Sequence, residues 1–238
     1  MDGFIIVDKP TNILSHDLTA KIGRLYNSRA GHSGTLDPNV GGLMIIGLGR
    51  YTRLLRFFTR LDKTYVCLAK FRKPVDERVV EELMSKLGKN LQIPPLQSAV
   101  AKRPRYRNVY ELNILEIFGN RILFRARVES GFYMRVLCEQ IGAEMEDLRR
   151  IAIGRIYENY AMNTYRLFRS PESARIYSIE ELFPYLNMDR LDVDINIYNK
   201  IKNGARIDIK LKNYTGMFFE NRLVAIMNRE SKYEIVLH

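Results

Sequence analysis

AGHSGTLDPNVGG, residues 30–42, is a run of small and polar residues with no apolar period. A structureless connection of that length inside an otherwise patterned chain points to function, because compact domains rarely tolerate one otherwise. Asp37 stands before Pro38 at its centre. Asp-Pro in a glycine-rich loop is ordinary turn chemistry when it stands alone. As a catalytic carboxylate it must be kept ionised in a partly dry cleft, which an adjacent guanidinium achieves while also fixing its orientation. GFYMRVL, residues 131–137, supplies such a cation in Arg135, although that residue alone reads as a surface charge on a helix. Neither motif decides the matter singly.

Working outward, GFIIVDKP (residues 3–10) reads as a short buried strand stopped by proline. Ser15 offers an N-cap, and Leu18, Ile22 and Leu25 at helical spacing predict a helix to about Tyr26. Beyond the loop, Leu43 to Leu48 predicts a strand, Tyr51 to Phe58 a helix, and KTYVCLAKF (63–71) a strand. VDERVVEELMSKLG (75–88) predicts a helix with Val80, Leu83, Met84 and Leu87 on one face and Gly88 as its stop. Leu112 to Ile117 and Ile122 to Val128 flank Phe118-Gly119-Asn120-Arg121 as a hairpin. A helix follows from Tyr133 to about Ala143, and a shorter second helix covers Met145 to Arg150. Strands and helices intermix without βαβ alternation, which predicts an α+β fold. Polar RSPESARIY (169–177) marks a boundary. Past it come the short helix SIEELFPYL, a second helix ending at Gly204, and the strand-like runs ARIDIKL, MFFENRLVAIM and KYEIVLH. Glu220-Asn221 turns the middle run into a hairpin.

A formal charge of +11 and a pI near 9.6 favour a polyanionic partner, nucleic acid being the commonest, over a merely solubilising surface. No apolar run approaches the roughly 20 residues needed to span a bilayer, which predicts a soluble, cytoplasmic protein without a membrane partner, nucleolar in a eukaryote. Cys67 and Cys138 form no CxxC pair and read as reduced core thiols. Three histidines and no Cys/His cluster argue against zinc. No P-loop and no GxGxxG after a strand is present, so no metal or cofactor is expected.

Seven segments in fixed order carry a resemblance: GFIIVDKP, a helix opening with SHD, GHSGTLDP, YTRLL, KTYVCLAKF, PPLQSAV and GFYMRVL. Together they resemble the TruB/dyskerin family of pseudouridine synthases over residues 3 to 156. The resemblance implies a mixed, mainly antiparallel central sheet flanked by helices in a catalytic domain of residues 1–176. It also implies a small β-rich PUA-like RNA-binding module at 177–238, a weaker match resting on IKNGARI and NRLVAI. It assigns Asp37 as the carboxylate, Tyr65 as the aromatic packed on the target base and Arg135 as the partner of the aspartate. Leu137 would wall the pocket, His32 would hold the flipped nucleotide, and Lys9 with Pro10 would support the loop, Lys9 also lying on the substrate side. The run AKRPRYRNVY, with Lys102, Arg103, Arg105 and Arg107, reads either as a solvated loop or as an RNA-contacting surface. Arg149, Arg150 and Arg155 read as phosphate contacts or as ion pairs.

The implied reaction is isomerisation of uridine in rRNA or tRNA. Two branches share the loop: stand-alone enzymes of the tRNA T-loop, and guide-dependent catalytic subunits of box H/ACA particles, which work with small accessory proteins. The basic run after SAV, MEDLRR, and the missing Thr-, Asp- and Gly-rich insert between Lys70 and Glu82 lean toward the guide-dependent branch. Departures are Phe132 and Gly41, each where the family often carries threonine. The competing class is a non-catalytic RNA scaffold or chaperone, against which the joint presence of Asp37, Tyr65 and Arg135 speaks.

Overall fold

The structure, a computed structural model, describes residues 1–95 and 101–237. Segment 96–100, LQSAV, which carries most of the PPLQSAV motif, lies outside the described residues, as does His238. The first strand, β1 (Gly3–Lys9), is buried almost throughout, as a continuous apolar run requires when both faces of a sheet are covered. Its side chains divide with period two: Ile5 and Val7 join one core, Phe4 and Ile6 the other.

After β1 come α1 (Ser15–Leu25), the short β2 (Ala30–His32) and β3 (Gly41–Leu48). A 3₁₀ turn, Gly49–Leu54, runs into α2 (Leu55–Thr59), then β4 (Lys63–Lys70), α3 (Glu77–Met84) and β5 (Gly88–Gln92). The hairpin β6 (Arg105–Phe118) and β7 (Arg121–Val128) leads to α4 (Met134–Gln140) and β8 (Glu144–Ile153). Two short strands, β9 (Ile156–Tyr157) and β10 (Met162–Asn163), and α5 (Thr164–Arg169) follow.

These strands form one ten-stranded sheet in the order β10-β1-β3-β8-β4-β7-β6-β5, with β2 beside β3 and β9 beside β8. Pairing is antiparallel except for β1 with β10 and β3 with β8. Beneath one face, Leu18 and Ile22 of α1, Leu83 of α3, and Leu137 and Cys138 of α4 pack on the sheet. The other face holds Phe57 and Phe58 of α2.

Farther along, α6 (Ile179–Leu182) carries a Ser178/Glu181 capping box. A second sheet follows from β11 (Asp189–Asp192), α7 (Ile195–Lys202), β12 (Thr215–Phe219), β13 (Arg222–Met227) and β14 (Tyr233–Val236). Its four strands lie in chain order, consistent with a PUA-like C-terminal module. Phe218, Leu223 and Ile226 share one core with Phe4 and Ile45 of the first sheet. Gly216 lets the Phe183 ring lie directly against β12, where any Cβ would collide with it. The α+β architecture is therefore as read, a mixed sheet with flanking helices and a small second sheet.

Several elements depart from the sequence reading. Met145 to Arg150 is not a helix but the middle of β8, held between β3 and β4. Met, Glu, Leu and Arg favour helix intrinsically, yet two neighbouring strands override that preference. The alternation of Leu148, Arg150 and Ala152 was hidden because a buried position carries an arginine. The loop shortens to residues 33–40, since Ala30–His32 and Gly41 onward pair in strands. Arg105 and Arg107 stand on β6 rather than in a loop. ARIDIKL forms no strand, although Ile207 is buried in the core, and DRLD, read as nothing, forms β11. On α3 only Leu83 is buried, while Met84 and Leu87 are exposed. Cys67 and Cys138, distant in sequence, bring their sulfurs to 3.6 Å as buried free thiols, and the hydrogen bond with Cys138, followed by burial, raises the Cys67 pKa.

Gly42 has a positive φ of 115°, and a Cβ there would run into the backbone of Arg150 on β8. The close β3–β8 approach therefore requires glycine. Gly42→Ala is expected to destabilise the protein by about 3 kcal/mol, from backbone strain and overpacking together. Chemical denaturation measures it; a loss within experimental error would mean the two strands can separate freely.

Candidate active site

The loop 33–40 is pinned along its length by side chains from below. Leu36 and Val40 sink into the core. Ser15 Oγ donates to the Leu36 carbonyl at 2.7 Å and accepts from the Leu36 amide at 2.9 Å. Ser15 is thus the first residue of α1, with no capping bond, and serves the loop instead of the helix. Lys9 is fully buried, and its ammonium donates to the carbonyls of Pro10, Pro38 and Val40 at 2.9, 3.2 and 2.8 Å. Burial pushes the Lys9 pKa down, the nearby Arg150 charge adds to this, and Asp37 opposes it. Lys9 presents no surface to a substrate, so its role is support and its placement on the substrate side is corrected. Arg150 Nε donates to Leu43 O at 2.8 Å and Nη2 to Gly34 O at 3.1 Å.

With the backbone so held, the Asp37 side chain turns outward. Its Oδ2 accepts from Arg135 Nη2 at 2.8 Å across 98 residues of sequence. Arg135 lies in the first turn of α4, whose start is tied to β5 by Gln92: Oε1 accepts from the Tyr133 amide and Nε2 donates to the Tyr133 carbonyl. The two side chains are 55% and 40% exposed. The expectation of a dry cleft is therefore corrected for the free protein: water reaches both groups, and exclusion must come from whatever binds over them.

Tyr65 stands half-buried on β4, directly across from Arg150 on β8, and the two side chains interact electrostatically. His32 is on β2 and accepts from the Gly34 amide through Nδ1 at 3.3 Å, which requires that nitrogen unprotonated. Burial lowers its pKa, and the charges of Arg150 and His16 lower it further. Leu137 is fully buried in the core that also holds Leu36. It offers no surface, which corrects its reading as a pocket wall. Lys102, Arg103 and Arg105 are exposed, whereas Arg107 pairs with Glu129 at 3.3 Å. Arg149 is engaged by Asp8 and Glu158 at 3.0 and 2.9 Å. Arg155 donates to the Pro184 carbonyl. Beside the loop, a groove of about 860 Å³ is lined by His16, Lys21, Arg24, Pro38 and Asn39, among others. Among the described residues no group of three His, Cys, Asp or Glu side chains could hold a metal ion. No helix there is long and apolar enough to cross a membrane.

Residues 23–86 match the family model described as TruB family pseudouridylate synthase (N terminal domain). A relative from Nanoarchaeum equitans, "Probable tRNA pseudouridine synthase B", is 41% identical over 162 residues, which are 65% of this chain and 47% of that relative. The whole architecture matches a chain in the "Crystal Structure of a Cbf5-Nop10-Gar1 Complex" with a TM-score of 0.82 and 27% identity, covering 99% of this chain and 83% of that one. The chain belongs to the TruB/dyskerin family. Another family structure, of an "H/ACA RNP bound to a substrate RNA containing 2'-deoxyuridine", matches with a TM-score of 0.81 and 26% identity, over 98% of this chain and 82% of that one. The chain spans about half the length of the curated relatives it matches.

The family resemblance in the sequence drew attention to Asp37, Tyr65 and Arg135 and to Lys9 beneath the loop, but left out Ser15, Gln92 and Arg150, which also hold the site. Ser15 looked like a cap, Gln92 carried no signal, and Arg150 looked like one surface arginine among several. A buried arginine has no sequence signature until its strand is known to be central.

Because His32 has a folded-state pKa below the ordinary 6.5, the unfolded chain binds the extra proton first as pH falls. Its contribution to stability is full above pH 6.5 and lost as pH drops below that value toward the folded pKa. His32→Gln, which cannot titrate, is expected to show a shallower loss of stability between pH 7 and pH 5. Thermal denaturation across that range checks it, and parallel profiles for the two proteins would contradict it.

Proposed function

We propose that this protein isomerises uridine to pseudouridine in RNA, with Asp37 as the catalytic carboxylate. The observation that carries the reading is the Asp37–Arg135 ion pair at 2.8 Å, standing on a loop whose backbone is anchored by Lys9, Ser15 and Arg150. A uridine in structured RNA must leave its stack before its glycosidic bond can be reached, at a cost of a few kcal/mol. Stacking on Tyr65 returns roughly 1–3 kcal/mol of that. Asp37 then assists cleavage of the bond between ribose C1′ and base N1, by attacking the sugar or by removing a sugar proton. The detached uracil turns, a bond forms from C1′ to C5, the C5 proton passes to water, and N1 regains a proton. No atoms are gained or lost, and the residues present suffice without a cofactor.

Arg135 keeps the carboxylate oriented until RNA covers the pair. Once water is excluded, the same ion pair strengthens, because the local dielectric falls. His32 contacts the flipped nucleotide, and Lys102, Arg103 and Arg105 contact flanking phosphates, consistent with the charge of +11. In this reading residues 1–176 are the catalytic domain and 177–238 a PUA-like RNA-binding module. The protein works in the cytoplasm as the catalytic subunit of a box H/ACA guide particle with small accessory proteins. Support for that branch is the match over nearly the whole chain to chains of a Cbf5-Nop10-Gar1 complex and of an H/ACA RNP. The names of the sequence relatives favour the second reading, a stand-alone enzyme of tRNA.

Tritium at uracil C5 is released to water on each turnover, so one assay separates the readings. Release from a tRNA transcript by the protein alone would establish the stand-alone enzyme. The expected result is release only when a guide RNA and the accessory proteins are added with a matched target. No release under either condition would sink the catalytic reading and leave an RNA-binding scaffold.

A further inference from the structure

Arg150 is 1% exposed and its guanidinium lies between the loop and β4. Among the described residues no carboxylate pairs with it. Its hydrogen-bond partners are two backbone carbonyls, Leu43 O and Gly34 O, and its cross-strand neighbour on β4 is Tyr65, with which it interacts electrostatically. Burial pushes its pKa down, and only Tyr65 opposes that shift. Lys9, His32 and Lys63 have their pKa values lowered first by burial and further by the positive charge of Arg150, Lys63 to about 7. A buried guanidinium without a counterion is expensive, and an apolar side chain of similar volume in a central strand would cost far less. A surface phosphate contact, one of its two sequence readings, is excluded by the burial. An ion pair, the other, is absent among the described residues.

The geometry of the fork supplies a reason for keeping it. One guanidinium bonds the loop at Gly34 and the start of β3 at Leu43, from a residue that is the cross-strand neighbour of Tyr65 on β4. Those are the elements that carry the carboxylate and the base-stacking aromatic of the proposed site. A lysine at this position would carry its donors on a single nitrogen, with no planar fork to hold acceptors on two separate elements in register. Gly34 itself has a φ of +145°, with the Arg150 Nη1 nitrogen 3.7 Å from where a Cβ would stand. Loop and guanidinium are thus fitted to one another.

We propose that Arg150 is a positioning residue that sets the distance and angle between the Tyr65 ring and the loop bearing Asp37, acting through Gly34 O and the Tyr65 side chain. This rests on the catalytic reading above for its consequences in turnover, but not for its consequences in the free protein. A misplacement of about 1 Å between reacting groups costs on the order of 100-fold in rate.

The test uses Arg150→Lys and Tyr65→Phe in the full chain, with two readouts. Amide hydrogen exchange in the free protein needs no activity: Arg150→Lys is expected to speed exchange in residues 33–40 while β6 and β7 stay as protected as in wild type. Single-turnover tritium release in the assembled particle is expected to fall about 100-fold for Arg150→Lys with RNA affinity unchanged. The double variant should be no slower than the slower single one, because both remove the same coupling. Should Arg150→Lys fail to fold, Tyr65→Phe alone decides, since it removes the hydroxyl that interacts with the guanidinium while keeping the ring: slowed turnover at unchanged affinity supports the proposal. Unchanged loop exchange in Arg150→Lys, wild-type turnover in either variant, or additive losses in the double variant would overturn it. An inactive wild-type protein with the expected exchange pattern would count against the catalytic reading only.

Discussion

The structure depends on the satisfaction of a short loop's backbone carbonyls by cations buried beneath it. Between them Lys9 and Arg150 take up the carbonyls of Pro10, Gly34, Pro38, Val40 and Leu43. Unpaired, such buried groups would cost about 1–3 kcal/mol each, and the loop would have to rise into solvent to recover water. Paired, they turn a glycine-rich segment into a rigid platform whose charged side chain is forced outward. The platform requires β1 and β8 to lie on either side of β3, which in turn requires Gly42 at the crossing. Fold and site are one constraint seen at two scales.

The same arrangement separates rigidity from dryness. Everything under Asp37 is buried, and the carboxylate itself remains wet beside Arg135. An ion pair this exposed contributes little to stability, so its retention is better explained by orientation than by folding energy. In the proposed reaction water is removed by the RNA, which makes substrate binding a step in assembling the chemistry. A basic surface drives that step through counterion release. The exposed Lys102, Arg103 and Arg105 and the half-exposed tyrosines around them lie on and before β6, at the far side of the same sheet.

Much of this was legible in the chain. The continuous apolar run of β1, the Glu220-Asn221 turn and the order of motifs from GFIIVDKP to GFYMRVL identified the fold, the loop and its arginine partner. What stayed hidden shares a physical cause. Met145 to Arg150 read as a helix because intrinsic preference is local, whereas the strand it forms is imposed by β3 and β4. Arg150 then read as a surface cation because pattern analysis treats every charge as solvent-facing. Ser15 read as a cap because a hydroxyl before a helix usually is one, and only the folded loop shows its other partner. ARIDIKL has strand-like alternation but finds no ladder partner, while polar DRLD gains one from β12. Partners distant in sequence decide all four cases.

The account stands on Asp37 being chemically required and structurally expendable, since its side chain is exposed and, among the described residues, hydrogen-bonds to Arg135 alone. Pseudouridine formed in a single turnover by Asp37→Asn, measured beside the affinity for the same RNA, tests this most directly. The account predicts unchanged affinity, an unchanged melting temperature and no pseudouridine. Product formed at the wild-type rate would contradict it, and the anchored loop would then have to serve RNA binding alone.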